Sequence, residues 1–224
     1  MPRLGLVISF SLLSAQLIAA DLTGRVRLTV DGELLAADEA RDAVIYVRPS
    51  QAHPTEPVAP QTMVTRRKQF DPEVLVITPG TEVSFPNTDP ILHNAFSVSN
   101  NNRFDVGLYG EGESESVQFD TPGLVRVYCN VHHSMVAHIV VVDTPWFTQP
   151  DSQGNFSLRD VPETGELFVW HPRTDVYRRR VIDLSELASQ APLDIELAVT
   201  RRKVPQHTNK FGKSYRRERR RRSY

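Results

Sequence analysis

From residue 73 to residue 142 the chain breaks into short runs of strand-forming residues: EVLVI (73–77), TEVSF (81–85), NAFSV (94–98), ESVQF (115–119), LVRVYC (124–129) and AHIVVV (137–142). Turn signals separate them at Pro79-Gly80, Asn87 to Pro90, Asn100 to Asn102, Gly110 to Gly112 and Pro122-Gly123. Such regular spacing predicts a sandwich or barrel of about ninety residues. The chain carries no long segment of 3.6-residue apolar period, and its sixteen prolines and eleven glycines fit the same class, so the whole protein reads as all-β. In LVRVYC the period of two places Val125, Val127 and Cys129 on one face, with the thiol at the end of a core-facing row.

The flanks look like more strands. GRVRLTV alternates Val26, Leu28 and Val30 with polar residues, and a turn at Asp31-Gly32 leads on to AVIYV (43–47). The segment from Pro49 to Pro60 holds four prolines, too many for a central strand, which predicts a linker and a boundary near residue 55. After residue 145 come a turn at Asp151 to Gly154 and the runs NFSLR, ELFVWH, VYRRRVID and LDIELAV, with a short helix expected over 183–190. At 224 residues the length accommodates one large domain or two small ones.

The first twenty residues carry Arg3, an uncharged apolar run from Leu4, and Ala19 and Ala20 before Asp21, the pattern of a secretory signal cleaved near Ala20. A membrane anchor is the competing reading, but the run is short for a span and lacks a basic flank on its far side. The mature protein is therefore expected outside the cytoplasm, in the periplasm. Cys129 is the sole cysteine, so no intramolecular disulfide can form and the thiol needs another explanation. Charge is divided unevenly: residues 21–200 hold 14 Lys or Arg against 26 Asp or Glu, whereas residues 201–224 hold 11 against one. The basic tail, almost devoid of apolar residues, is expected to be disordered. For an exported chain its partners would be an anionic surface or an acidic partner, with nucleic acid not expected.

Cys129, His132 and Met135 fit C-x2-H-x2-M, so one turn of chain can offer a thiolate, an imidazole and a thioether to a single ion. Copper that shuttles between Cu(I) and Cu(II) uses this set: one thiolate and two imidazoles in a trigonal array, with a weak axial thioether. So short a loop cannot surround the ion, and His93, in FPNTDPILHN just before the run at 94–98, is the candidate second imidazole. FPNTDPILHN followed by GLVRVYCNVHHSM resembles the plastocyanin and amicyanin branch of the cupredoxins, and the loop spacing is most similar to amicyanin. The resemblance covers roughly residues 60–143. It implies a Greek-key β-sandwich with one type 1 copper per chain, held by His93, Cys129 and His132, with Met135 axial. It also implies that Asn94 ties the two ligand loops together.

Zinc is the competing metal, because one Cys and two His could begin a tetrahedral site, but thioether is a poor zinc ligand. Of the adjacent histidines, His132 is preferred over His133, which would leave only Ser134 before the thioether. His53 and His207 are expected to be solvated, and His138 and His171 to be structural. Multicopper oxidases and copper nitrite reductases share the fold, but a histidine beside the copper cysteine is expected there. Here Tyr128 and Asn130 flank Cys129, and there is no H-x-H pair.

GRVRLTVDGELLAADEARDAVIYVRP and DSQGNFSLRDVPETGELFVWHP together resemble the carboxypeptidase regulatory-like sandwich. The chain over most of its length is also similar to bacterial methylamine-utilisation proteins that combine the two units. The implied organisation is a signal (1–20), a first sandwich part (21–54), a cupredoxin domain (55–145), a second sandwich part (146–200) and a basic tail (201–224). The expected function is one-electron transfer to redox protein partners, without catalysis. Copper storage or delivery, or a structural copper in an interaction module, is the alternative.

Overall fold

The computed structural model describes residues 20–174, 180–184, 192–202 and 209–211. Residues 1–19 of the expected signal, most of the basic tail with His207, and residues 185–190 of the expected helix lie outside them. In the N-terminal flank, β1 (Ala20–Val30) turns at Asp31 and Gly32, both at positive φ, into β2 (Glu33–Leu34). A 3₁₀ helix over Ala37–Asp42 that no sequence signal announced then leads to β3 (Val44–Pro49). The central region holds β4 (Gln61–Thr62), β5 (Val64–Arg66), β6 (Gln69–Asp71), β7 (Val74–Ile77), β8 (Thr81–Pro86), β9 (His93–Ser97), β10 (Phe104–Tyr109), β11 (Ser114–Phe119), β12 (Gly123–Tyr128) and β13 (Val136–Val141). After it come β14 (Phe147–Thr148), β15 (Asn155–Val161), β16 (Gly165–Trp170), β17 (Arg180–Asp183) and β18 (Leu193–Ala198).

Four sheets account for all but one hairpin. The flanks join: β1 pairs antiparallel with β15 and parallel with β18, and β3 lies between β14 and β16, with β17 beyond. Alternate apolar residues of these two sheets, among them Val26, Leu28, Ile45, Val47, Leu158, Leu167 and Ile195, form one core. In the central region β10-β9-β12-β13-β7 faces β11-β8-β4, and a second core between them holds Phe85, Phe119, Val125, Val127, Ile139 and Cys129. A smaller cluster of Val44, Val74, Val140, Val142 and Trp170 joins β3 and β16 of the flank sandwich to the outer face of β7 and β13. Each large apolar side chain fully buried in these cores stabilises the fold by about 1.5–3 kcal/mol relative to exposure.

The β12–β13 ladder shows how pattern becomes position. Val125 faces Ile139 and Val127 faces Ala137 across the antiparallel pair, all four inside, while Arg126 and His138 share the opposite face. Cys129 follows one step after the strand ends and stays fully buried, in line with the valines. His93, expected just ahead of a strand, is the first residue of β9, opposite Tyr109 of β10. Among the elements without a counterpart in the sequence reading are β10 and the β5–β6 hairpin, whose tight turn places Arg67 and Lys68 at φ 53° and 58°. Neither Arg nor Lys favours that region, which is why the hairpin escapes a reading based on glycine and asparagine.

Candidate metal centre

Strand β9 and the loop after β12 bring three donors together. His93 Nδ1 lies 3.8 Å from Cys129 Sγ and 3.2 Å from His132 Nδ1. The three ligand atoms fall within 4.8 Å of one another, the only such group of metal-binding side chains among the described residues. His93 and Cys129 are fully buried, while His132 keeps one side at the surface.

The loop that carries His132 is closed by its own backbone. Cys129 N–H donates to Met135 O at 3.3 Å, and Met135 N–H donates to His132 O at 3.1 Å, so the segment folds back and returns Met135 to the core, 1% exposed. His133 is exposed and is not among the three converging donors. Asn94 bridges the two halves of the site: Asn130 N–H donates to its Oδ1 at 3.3 Å, while its Nδ2 donates to Asp105 Oδ1 at 2.8 Å and Gly107 O at 2.7 Å.

On the other side, Asn87 shapes the loop that leads into His93. Its Oδ1 accepts Asp89 N–H at 2.9 Å, an Asx turn, and its Nδ2 donates to Ile91 O at 2.9 Å. The curl brings Asp89, four residues before His93, back onto the ring, where Oδ2 lies 2.9 Å from Nε2. A histidine whose Nε2–H is donated to a carboxylate presents the Nδ1 lone pair on its other edge, and Nδ1 is the atom that faces Cys129 and His132. Asp89 was not picked out from the sequence. Its signal is the i, i+4 spacing to His93, which in a non-helical loop says little without the Asx turn.

Electrostatics favour a neutral, ligating imidazole at His132. Burial lowers its pKa, and the neighbouring His93 and Lys68 lower it further. Burial raises the Asp89 pKa, but hydrogen bonds from the Lys68 and Arg67 amides and from His93 outweigh that and hold it below the usual carboxylate range. A buried thiol with two imidazole nitrogens, one oriented by a carboxylate, is a soft and borderline donor set that suits copper.

Residues 61–142 match the family described as copper binding proteins, plastocyanin/azurin family. This part of the chain is a cupredoxin domain. Among solved structures, the domain is similar to a copper-containing nitrite reductase of Thermus scotoductus at 30% identity, over 42% of this chain and 25% of that one, with a TM-score of 0.36. The chain thus spans about a quarter of that enzyme's length. A purple cupredoxin of Nitrosopumilus maritimus aligns at 23% identity over 37% of this chain and 99% of its own, with a TM-score of 0.33. Amicyanin of Paracoccus versutus aligns at 15% identity over 43% and 98%, with a TM-score of 0.35. No curated protein sequence matches the chain.

The remaining histidines are placed as follows. His171 is buried, with Nε2 3.2 Å from Glu39 O and Nδ1 accepting from Arg173 N–H at 3.1 Å. His138 packs edge-on against Trp170, ring centroids 5.5 Å apart, between the cupredoxin domain and the flank sandwich. His53, expected to be solvated, is exposed, and its ring lies 4.7 Å from that of Trp146. Two ion pairs join described tail residues to the cupredoxin domain: Lys210 Nζ donates to Asp105 Oδ2 at 2.6 Å, on the carboxylate that holds Asn94, and Arg202 Nη1 lies 3.8 Å from Glu73 Oε2.

Proposed function

We propose that this protein is an exported one-electron carrier, with one type 1 copper held by His93, Cys129 and His132 and by Met135 as the axial ligand. The convergence of one buried thiol and two imidazole nitrogens carries this reading. Copper supplies the redox chemistry; the protein supplies binding, geometry and access. His93 and Cys129 are locked in the core, so the donor set has little freedom to rearrange when the charge of the ion changes. His132, partly open, is the port through which an electron enters or leaves. Exposed Leu92 and Val131, the residues immediately before His93 and His132, give a redox protein partner an apolar surface at that port.

Several features favour a carrier over an enzyme. Tyr128 and Asn130 flank Cys129, and no second cluster of metal-binding side chains lies within reach among the described residues. Among those residues no helix is long and apolar enough to cross a membrane, and periplasmic localisation rests on the signal-like first twenty residues.

Cyclic voltammetry and Cu(I)/Cu(II) self-exchange of the copper-loaded protein test the proposal. A reversible one-electron wave with fast self-exchange is expected. Weak Cu(II) binding together with selective Cu(I) exchange to chelators would replace electron transfer with copper storage or delivery.

A further inference from the structure

His93 is gripped from behind by an anion that the fold takes trouble to keep. Asp89 is 7% exposed, and its carboxylate is met by three N–H groups: Arg67 N–H at 2.6 Å on Oδ1, Lys68 N–H at 2.8 Å on Oδ2, and the His93 ring on Oδ2 at 2.9 Å. The two amides come from adjacent left-handed residues at the tip of the β5–β6 hairpin. That conformation is unfavourable for Arg and Lys, yet it turns successive N–H groups to one side and forms a small anion cradle. The hairpin lies outside both sheets of the cupredoxin sandwich, and its turn is spent on this carboxylate.

We propose that Asp89 sets the preference of the site for Cu(II) over Cu(I); the proposal rests on the copper assignment made above. Two effects act in the same direction. A carboxylate accepting Nε2–H makes the imidazole a stronger donor through Nδ1. A fixed negative charge on the far edge of a ligand ring also stabilises the ion of higher charge more, and a buried site screens that charge less than water would. A backbone carbonyl in the same place would supply the hydrogen bond but not the charge. The cradle from Arg67 and Lys68 offsets the desolvation of the carboxylate, so the charge stays where the metal feels it.

Asp89→Asn keeps the shape of the side chain and an acceptor for the ring while removing the charge. Cu(II) should then bind about 10–100-fold more weakly, with a smaller loss for Cu(I). The reduction potential should rise by about 59 mV for each tenfold by which the two losses differ. Equal losses for both oxidation states, or an unchanged potential, would show that Asp89 only supports the fold and would overturn the proposal. Should Asp89→Asn fail to fold, proton and nitrogen NMR of the Cu(I)-loaded wild type decides. His93 should carry its proton on Nε2, protected from exchange by the buried carboxylate, and a rapidly exchanging or absent Nε2 proton would refute the contact. A wild type that takes up no copper sinks the copper assignment itself, whereas a copper-loaded wild type with an unaltered potential in Asp89→Asn sinks this proposal alone.

Discussion

Acid should loosen this protein through two histidines that take no part in the metal centre. His138 sits on the outer face of β13, against Trp170 of β16, and neither its Nδ1 nor Trp170 Nε1 has a hydrogen-bond partner among the described residues. Burial, then the Arg126 charge from β12, then His171, push its pKa from 6.5 down to about 4. His171 is also brought to about 4 by burial and by Arg173 and Arg202, although the Glu39 carbonyl works the other way. Both rings are thus neutral in the folded protein at pH values where an unfolded chain would protonate them. The unfolded state binds the extra protons, so stability falls as pH drops from about 6.5 towards 4.

At ~1.4 kcal/mol per pH unit, the full interval for each ring is about 3.4 kcal/mol, and at pH 5 each has cost about 2 kcal/mol. Asp42 and Glu73, beside the same interface, have pKa values raised chiefly by burial and contribute in the opposite sense. The informative quantity is therefore the difference between wild type and His138→Leu. Urea unfolding of both copper-free proteins at pH 8, 6 and 5 measures it. The acid-induced loss should be smaller in the variant by about 2 kcal/mol at pH 5. Parallel pH profiles for the two proteins would refute the argument that His138 is held neutral by its burial.

Three further outcomes follow from the geometry. His132→Ala should abolish or severely distort the copper spectrum, whereas His133→Ala should keep it, since only His132 lies with His93 and Cys129; spectra of the two variants with Cu(II) check this. Asn94→Ala leaves Asp105, Gly107 and Asn130 without their bridging partner, and the midpoint of thermal unfolding should report a loss of about 1–3 kcal/mol, with faster copper release. Ending the chain after Arg202 removes the Lys210–Asp105 pair, a partly exposed contact worth at most about 1 kcal/mol, so calorimetry should find the fold and colour intact.

How far the sequence led is clearest at particular residues. The alternation in LVRVYC placed Cys129 at the end of the Val125–Val127 row, because a ladder with one buried face leaves no choice of register. The spacing C-x2-H-x2-M picked out His132 over His133, and the structure sets His132, not His133, against His93. What stayed hidden depends on tertiary contact. The turn at Arg67 and Lys68 adopts a backbone those residues disfavour because Asp89, more than twenty residues away, accepts both amides. Likewise, the apolar cluster joining the two sandwiches draws single residues from β3, β7, β13 and β16, none of which marks an interface in its own run.

Titration of the copper-free protein with Cu(II), followed in the visible spectrum, asks whether the thiol of Cys129 and the imidazoles of His93 and His132 hold one copper as a type 1 centre. An intense thiolate-to-copper charge-transfer band is expected that saturates at one copper per chain and is absent from Cys129→Ser. Stoichiometric Cu(II) binding without that band, or the same band in Cys129→Ser, would contradict that assignment.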